Sequence, residues 1–217
     1  MKEVCDCRFV EPLLLWWRKS KRPRDYPWRR ETDPYRVLVA EILLQRTRRD
    51  KAAEIYEKFV NAFPDPQSLA RASEDEVRNI IRPLGLEKRA PYLAKLAREI
   101  LRRPHVLREG RFEELPGVGP YVASAARVIL GIPTRLKPDS SIARVLSRFY
   151  DRSLNTRRPA DTPWVDECLN RCAPQNPESR KEYFLALVDL AWEICRPRKP
   201  RCNLCPLKNL CRQLRQS

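Results

Sequence analysis

The chain has one histidine and one methionine in 217 residues. The histidine, His105, sits in a loop bounded by prolines and arginines, so no Ser-His-Asp or Cys-His catalytic set can be read from the sequence. Long apolar runs are absent too. The longest, Val37 to Leu44, is interrupted by Glu41 and is far too short to span a bilayer. The N-terminus lacks the apolar stretch and small-residue cleavage site of a signal peptide, so the protein is expected to be intracellular, in the cytoplasm or nucleoid. Neither a credible series of alternating strands nor a solenoid-type repeat is seen. Few oxidisable residues beside twenty prolines suit a hot source, such as a thermophilic archaeon.

What is present is charge, helix and clustered cysteine. The formal charge of +16 points to a polyanionic partner, with nucleic acid the first choice. An anionic membrane fits less well, because no long helix pairs a basic face with a bulky apolar one. At 42% hydrophobic, the chain has enough apolar residues to fold into one large or two small domains.

Apolar residues recur at helical spacing from Pro34 to Val60 (Val37, Ile42, Leu44, Ala52, Ile55, Tyr56, Phe59). A further helical segment carries Leu69, Val77 and Ile80-Ile81 and stops near Pro83 and Gly85. Others are centred on Leu93 to Leu101, Val122 to Leu130 (ended by Gly131), Ile142 to Phe149, and Phe184 to Ile194. Arg18–Arg30, Pro133–Pro138 and Asn155–Pro163 read as linkers. The expected architecture is all-α with two helical lobes. One covers 32–134; the other joins 1–31 to 135–217.

Four of the eight cysteines lie within the last 23 residues. Cys195, Cys202, Cys205 and Cys211 are spaced C-x6-C-x2-C-x5-C, which lets four thiolates converge on a metal or cluster. Zinc and a pair of disulfides remain open for such a set. Cys5, Cys7, Cys168 and Cys172 read as plain buried thiols. In a hot source, Cys5 and Cys7, or Cys168 and Cys172, could form disulfides instead.

The spacing resembles the [4Fe–4S] loop of the endonuclease III superfamily of DNA glycosylases, including Pro197, Lys199-Pro200, Arg201 and Leu210. Seven basic residues and no acid lie between Arg196 and Ser217, so the resemblance implies a structural cluster holding a basic loop against DNA phosphates. Leu115-Pro116-Gly117-Val118-Gly119, followed by Pro120-Tyr121, resembles the helix–hairpin–helix of the same superfamily. On its own it would be an ordinary tight turn, although its glycines permit positive φ and close backbone approach. In the family this motif grips DNA through backbone N–H groups, often with a monovalent cation.

Twenty residues beyond Gly119 stands Asp139, in Pro138-Asp139-Ser140-Ser141-Ile142-Ala143-Arg144-Val145. Position alone makes it a helix N-cap. The family places its essential aspartate here, and the match is good at Asp139, Arg144 and Val145. Ser141 and Pro138 depart from the usual residues. A carboxylate suits the chemistry, because cleavage of an N-glycosidic bond builds positive charge on the sugar. Tyr121 stands where bifunctional members carry a Schiff-base lysine. That implies a monofunctional enzyme that uses water, as in archaeal mismatch glycosylases acting on thymine or uracil opposite guanine.

The run Ala40-Glu41-Ile42-Leu43-Leu44-Gln45-Arg46-Thr47 resembles both the adenine and the mismatch-thymine glycosylases. It implies Glu41 as a group touching the flipped base and Gln45 as the residue filling the vacated gap. Leu86 matches a wedge inserted from the opposite side. Read from the residues alone, Tyr121 and Leu86 would be packing residues. The expected partner is double-stranded DNA with a mismatched or damaged base, bound by a monomer in a cleft where Tyr121 and Asp139 face each other. The competing readings are a glycosylase for adenine or oxidised pyrimidines, and a non-catalytic iron–sulfur DNA-binding protein.

Overall fold

The computed structural model describes residues 5–20, 26–45 and 47–215. Arg46, quoted above, and residues 21–25 of the basic Arg18–Arg30 stretch lie outside the described residues. The helices, in chain order, are α1 (Val10–Lys19), α2 (Pro34–Leu43), α3 (Arg49–Ala62), α4 (Pro66–Arg71), α5 (Glu74–Ile81), α6 (Ala90–Arg102), α7 (His105–Arg108), α8 (Pro120–Ile129), α9 (Ser140–Tyr150), α10 (Pro163–Arg171), α11 (Pro177–Glu193) and α12 (Arg212–Arg215). Short 3-10 turns join several of them. Among the described residues there is no strand, in keeping with the all-α expectation.

The prolines are placed to begin helices rather than break them. Pro34, Pro66, Pro120, Pro163 and Pro177 each open one, where the missing N–H costs nothing. Side chains complete several of these starts. Asp33 accepts from the Arg36 N–H at 3.1 Å, and Ser73 and Glu76 form a reciprocal capping box at α5. That box explains one departure from the sequence reading, since the segment around Leu69 to Ile81 is two helices. Pro34 to Val60 is likewise two. After α2 the Thr47 hydroxyl turns back to the Leu43 carbonyl, and α3 restarts at Arg49.

The chain divides into two compact units, Met1–Arg24 with Pro133–Ser217, and Asp25–Ile132. In the 25–132 unit, α2 packs against α8, while α4 and α5 pack against α6. Its core includes Tyr35, Leu38, Phe59, Leu69, Val77, Ile81, Leu93, Leu96 and Phe112, all essentially solvent-free. The Tyr35 hydroxyl, buried with its ring, donates to the Phe63 carbonyl at 3.0 Å.

In the other unit, α11 packs against both α1 and α9. Phe9 sits among Phe149, Tyr150 and Tyr183, with ring centroids 5.0, 6.4 and 6.1 Å away. Trp17 donates its indole N–H to fully buried Asp189 at 2.8 Å.

The four outlying cysteines are disulfides, not buried thiols, and they are not joined as local pairs. Cys5 bonds to Cys168 and Cys7 to Cys172, with Cα separations of 5.4 and 5.1 Å. The partners are 163 and 165 residues apart in sequence. They meet because the turn before α1 lies along α10. Among the described residues no helix is long and apolar enough to cross a membrane.

Candidate functional site

The hairpin between Phe112 and α8 divides its residues by role. Leu115 and Val118 are buried in the core of the 25–132 unit, and their N–H groups donate inward, to Phe112 O at 3.0 Å and Leu115 O at 3.2 Å. They anchor the loop. Their apolar side chains stay in the core, and their N–H groups are used within the turn. Gly117 and Gly119 are exposed, and among the described residues their N–H groups donate to no protein acceptor. Only Gly117 has positive φ (76°), whereas Gly119 is extended (φ −81°) and caps α8. A Cβ at Gly119 would meet nothing, so that face is open to a ligand. With the head of α8 just beyond, the two exposed glycine N–H groups offer donors suited to an anion.

Tyr121 lies in the first turn of α8, partly buried against the core. Glu41 is on α2, which packs against α8, so the fold brings the two carrier helices together. Glu41 is 7% exposed in an otherwise apolar stretch. Gln45 is half-buried just past the end of α2. Arg89 braces that end by donating to the Ile42 carbonyl at 2.9 Å, a contact across 47 residues with no local signal. Leu86, just past the left-handed Gly85, is buried against the core.

Asp139 belongs to the other unit, at the head of α9. Its Oδ1 accepts from the N–H groups of Ser141 and Ile142 at 2.9 and 2.7 Å. The Ser141 hydroxyl lies 2.8 Å from both carboxylate oxygens. The helix-cap reading holds, and the cap fixes the direction of the carboxylate. Ser141, a departure from the family pattern, becomes part of its support.

The same helix reaches the cysteine loop. Arg144 is half-buried and donates to Ala191 O and Cys195 O, both at 3.0 Å. Its desolvation lowers the guanidinium pKa from the ordinary arginine value. Arg148 donates to Arg196 O and Pro197 O and lies 3.5 Å from the Cys195 sulfur. The Cys211 thiol points back to the Arg148 carbonyl at 3.3 Å. Arg148 was not anticipated; its signal was a second arginine four residues after Arg144 on one helix face.

Cys195, Cys202, Cys205 and Cys211 are free thiols, all partly buried. Burial, reinforced by the other three sulfurs, pushes the Cys205 thiol up to about 11, and burial raises Cys211 as well. Among the described residues no set of three or more His, Cys, Asp or Glu is gathered tightly enough to hold a metal ion.

Residues 39–175 match the model of the HhH-GPD superfamily of base excision DNA repair proteins. The chain belongs to that superfamily. The HhH-GPD match takes in the hairpin, Tyr121 and Asp139, and stops before the cysteine loop. The chain is 38% identical over 203 residues to a thymine-DNA glycosylase of Aeropyrum pernix, covering 91% of each chain. It is 35% identical to a thymine/uracil-DNA glycosylase of Pyrobaculum aerophilum, covering 93% of this chain and 89% of that one. A solved thermostable thymine-DNA glycosylase superposes with a TM-score of 0.81 at 29% identity over 96% of both chains. Endonuclease III bound to DNA, at 20% identity and a TM-score of 0.76, shares the fold.

Proposed function

We propose that this protein is a monofunctional DNA glycosylase that hydrolyses the N-glycosidic bond of thymine or uracil paired with guanine. The observation that carries this reading is the Asp139 carboxylate, held by two backbone N–H groups and a serine hydroxyl at the head of α9. A carboxylate fixed in this way stabilises positive charge growing on the sugar and orients the attacking water. Tyr121 has no amine, so no Schiff base forms at its position and the strand is not cleaved. Glu41 and Gln45 act on the flipped base and the gap it leaves. Outward N–H groups at Gly117 and Gly119 hold a DNA phosphate, with a monovalent cation between them, and the chain acts as a monomer. The similarity to a thymine-DNA glycosylase and a thymine/uracil-DNA glycosylase supports thymine and uracil as the bases.

The cysteine loop fits a [4Fe–4S] cluster by its donor set: four partly buried thiols from one short segment, with one Cys-x-x-Cys step. A cubane spreads its ligands over four irons, so it does not require the tight convergence of a single-ion site. Bound there, the cluster would cross-link the basic loop. Arg148 orients the first turn of that loop from α9. Iron and inorganic sulfide should be present in equal amounts in the purified protein and be lost in Cys202→Ser.

A panel of duplexes, each with one mismatch or lesion, scored for abasic sites, tests the activity. G·T and G·U duplexes should lose their base and the others should not; release of adenine alone would replace the proposed substrate. Borohydride should trap no covalent adduct, and an adduct would overturn the monofunctional mechanism.

A further inference from the structure

The hairpin has an exposed aromatic neighbour that none of these roles uses. Tyr92, in the first turn of α6, is 58% exposed. Among the described residues its hydroxyl makes no hydrogen bond. A Cβ built on Gly117 would lie 3.6 Å from the Tyr92 Cβ, so the aromatic side chain starts beside the outward glycine of the hairpin. Lys88 and Lys95 stand one turn before and one turn after it in the sequence, and both are exposed.

Among the described residues, surface cations of the 25–132 unit fall into an ion-paired and an unpaired set, and these two lysines belong to the second. Many cations of the 25–132 unit are matched by acids close by. Lys51 and Lys58 pair with Glu54, Arg78 with Glu74 and Asp75, and Arg102 and Arg103 with Glu99. Lys88 and Lys95 form no ion pair among the described residues. An exposed tyrosine between two unmatched lysines, next to outward backbone donors, has the composition of a nucleic-acid contact: an apolar ring for a sugar or base, and cations for phosphates.

We infer that Tyr92, Lys88 and Lys95 form a second contact to the DNA strand gripped by the hairpin, with the Tyr92 ring against a deoxyribose or base and the lysines on flanking phosphates. The inference rests on the proposed DNA-binding role of the hairpin.

Binding of the full chain to a duplex carrying a non-cleavable substrate analogue, measured across a salt series, tests it. Tyr92→Ala should weaken binding about fivefold or more, as expected for loss of one aromatic contact. Tyr92→Phe should retain most of the affinity. Lys88→Gln and Lys95→Gln should each reduce the slope of log K against log salt by about 0.9. Arg78→Gln, which removes an acid-matched cation, should leave the slope unchanged. Lys95→Gln keeps the test intact if Tyr92→Ala melts early. Wild-type affinity and slope in the Tyr92 and lysine variants would overturn the inference while leaving the hairpin reading standing. Failure of the wild-type chain itself to bind duplex would overturn both.

Discussion

The two units are held together by different means. The 25–132 unit is one continuous stretch of chain. Side-chain caps start α2, α4 and α5, and its core closes by noncovalent packing, with buried hydrogen bonds such as Tyr35 to the Phe63 carbonyl. The other unit is assembled from two segments with the whole of the first unit inserted between them. Bringing distant segments together costs more chain entropy. That unit carries both disulfides, and they link one segment to the other. All four free cysteines lie in it as well. Covalent support is concentrated where chain connectivity is weakest.

The largest effect should come from removing that support. Cys5→Ser with Cys7→Ser reopens loops of 163 and 165 residues, and the chain-entropy model assigns about 5 kcal/mol to a loop of that length. Thermal melting and hydrogen exchange should show the discontinuous unit losing protection first. Equal loss in both units would break the comparison.

Asp139→Asn comes next, read in activity rather than stability. Base release should fall by about 10² to 10³, roughly 3–4 kcal/mol in the barrier, while duplex affinity persists. Unchanged base release in single-turnover assays would remove Asp139 from the mechanism. In the continuous unit, Leu93→Ala opens a cavity in a fully buried site and should cost about 3 kcal/mol by denaturant melting. Reduction of the disulfides should not change that cost if noncovalent contacts hold this unit.

The smallest effect should be at the α5 cap. Ser73→Ala should cost about 1 kcal/mol. The Ser73 N–H holds the Glu76 carboxyl below its ordinary value, so the cap's contribution is full above the ordinary carboxylate range. It fades as pH falls through the lowered pKa. The stability difference between wild type and Glu76→Gln should therefore shrink in acid, and a difference independent of pH would remove the ionised Glu76 from the cap.

The hairpin, the position of Asp139 and the spacing of the last four cysteines were legible because each is a short run whose chemistry depends on neighbours within a few residues. The same locality made the capping box at Ser73 available, though the apolar pattern hid it. Leu115 and Val118 show what pattern leaves out: the motif names them, and only burial shows that their side chains anchor the loop in the core. For Leu86 the reading from residues alone, that an isolated leucine in a turn packs inward, agrees with its burial, and the resemblance pointed the other way.

The sequence by itself determined an all-helical chain, a basic surface, a glycine hairpin and a four-cysteine loop. Periodicity, charge and spacing are properties of adjacent residues, and the local backbone follows from them. Only the tertiary structure decided that Cys5 meets Cys168 and Cys7 meets Cys172, that Ser141 supports Asp139, and that Tyr92 starts beside Gly117. The disulfides and the Tyr92 contact join positions far apart in the chain, and Ser141 depends on the direction its hydroxyl takes. No local pattern encodes either kind of fact.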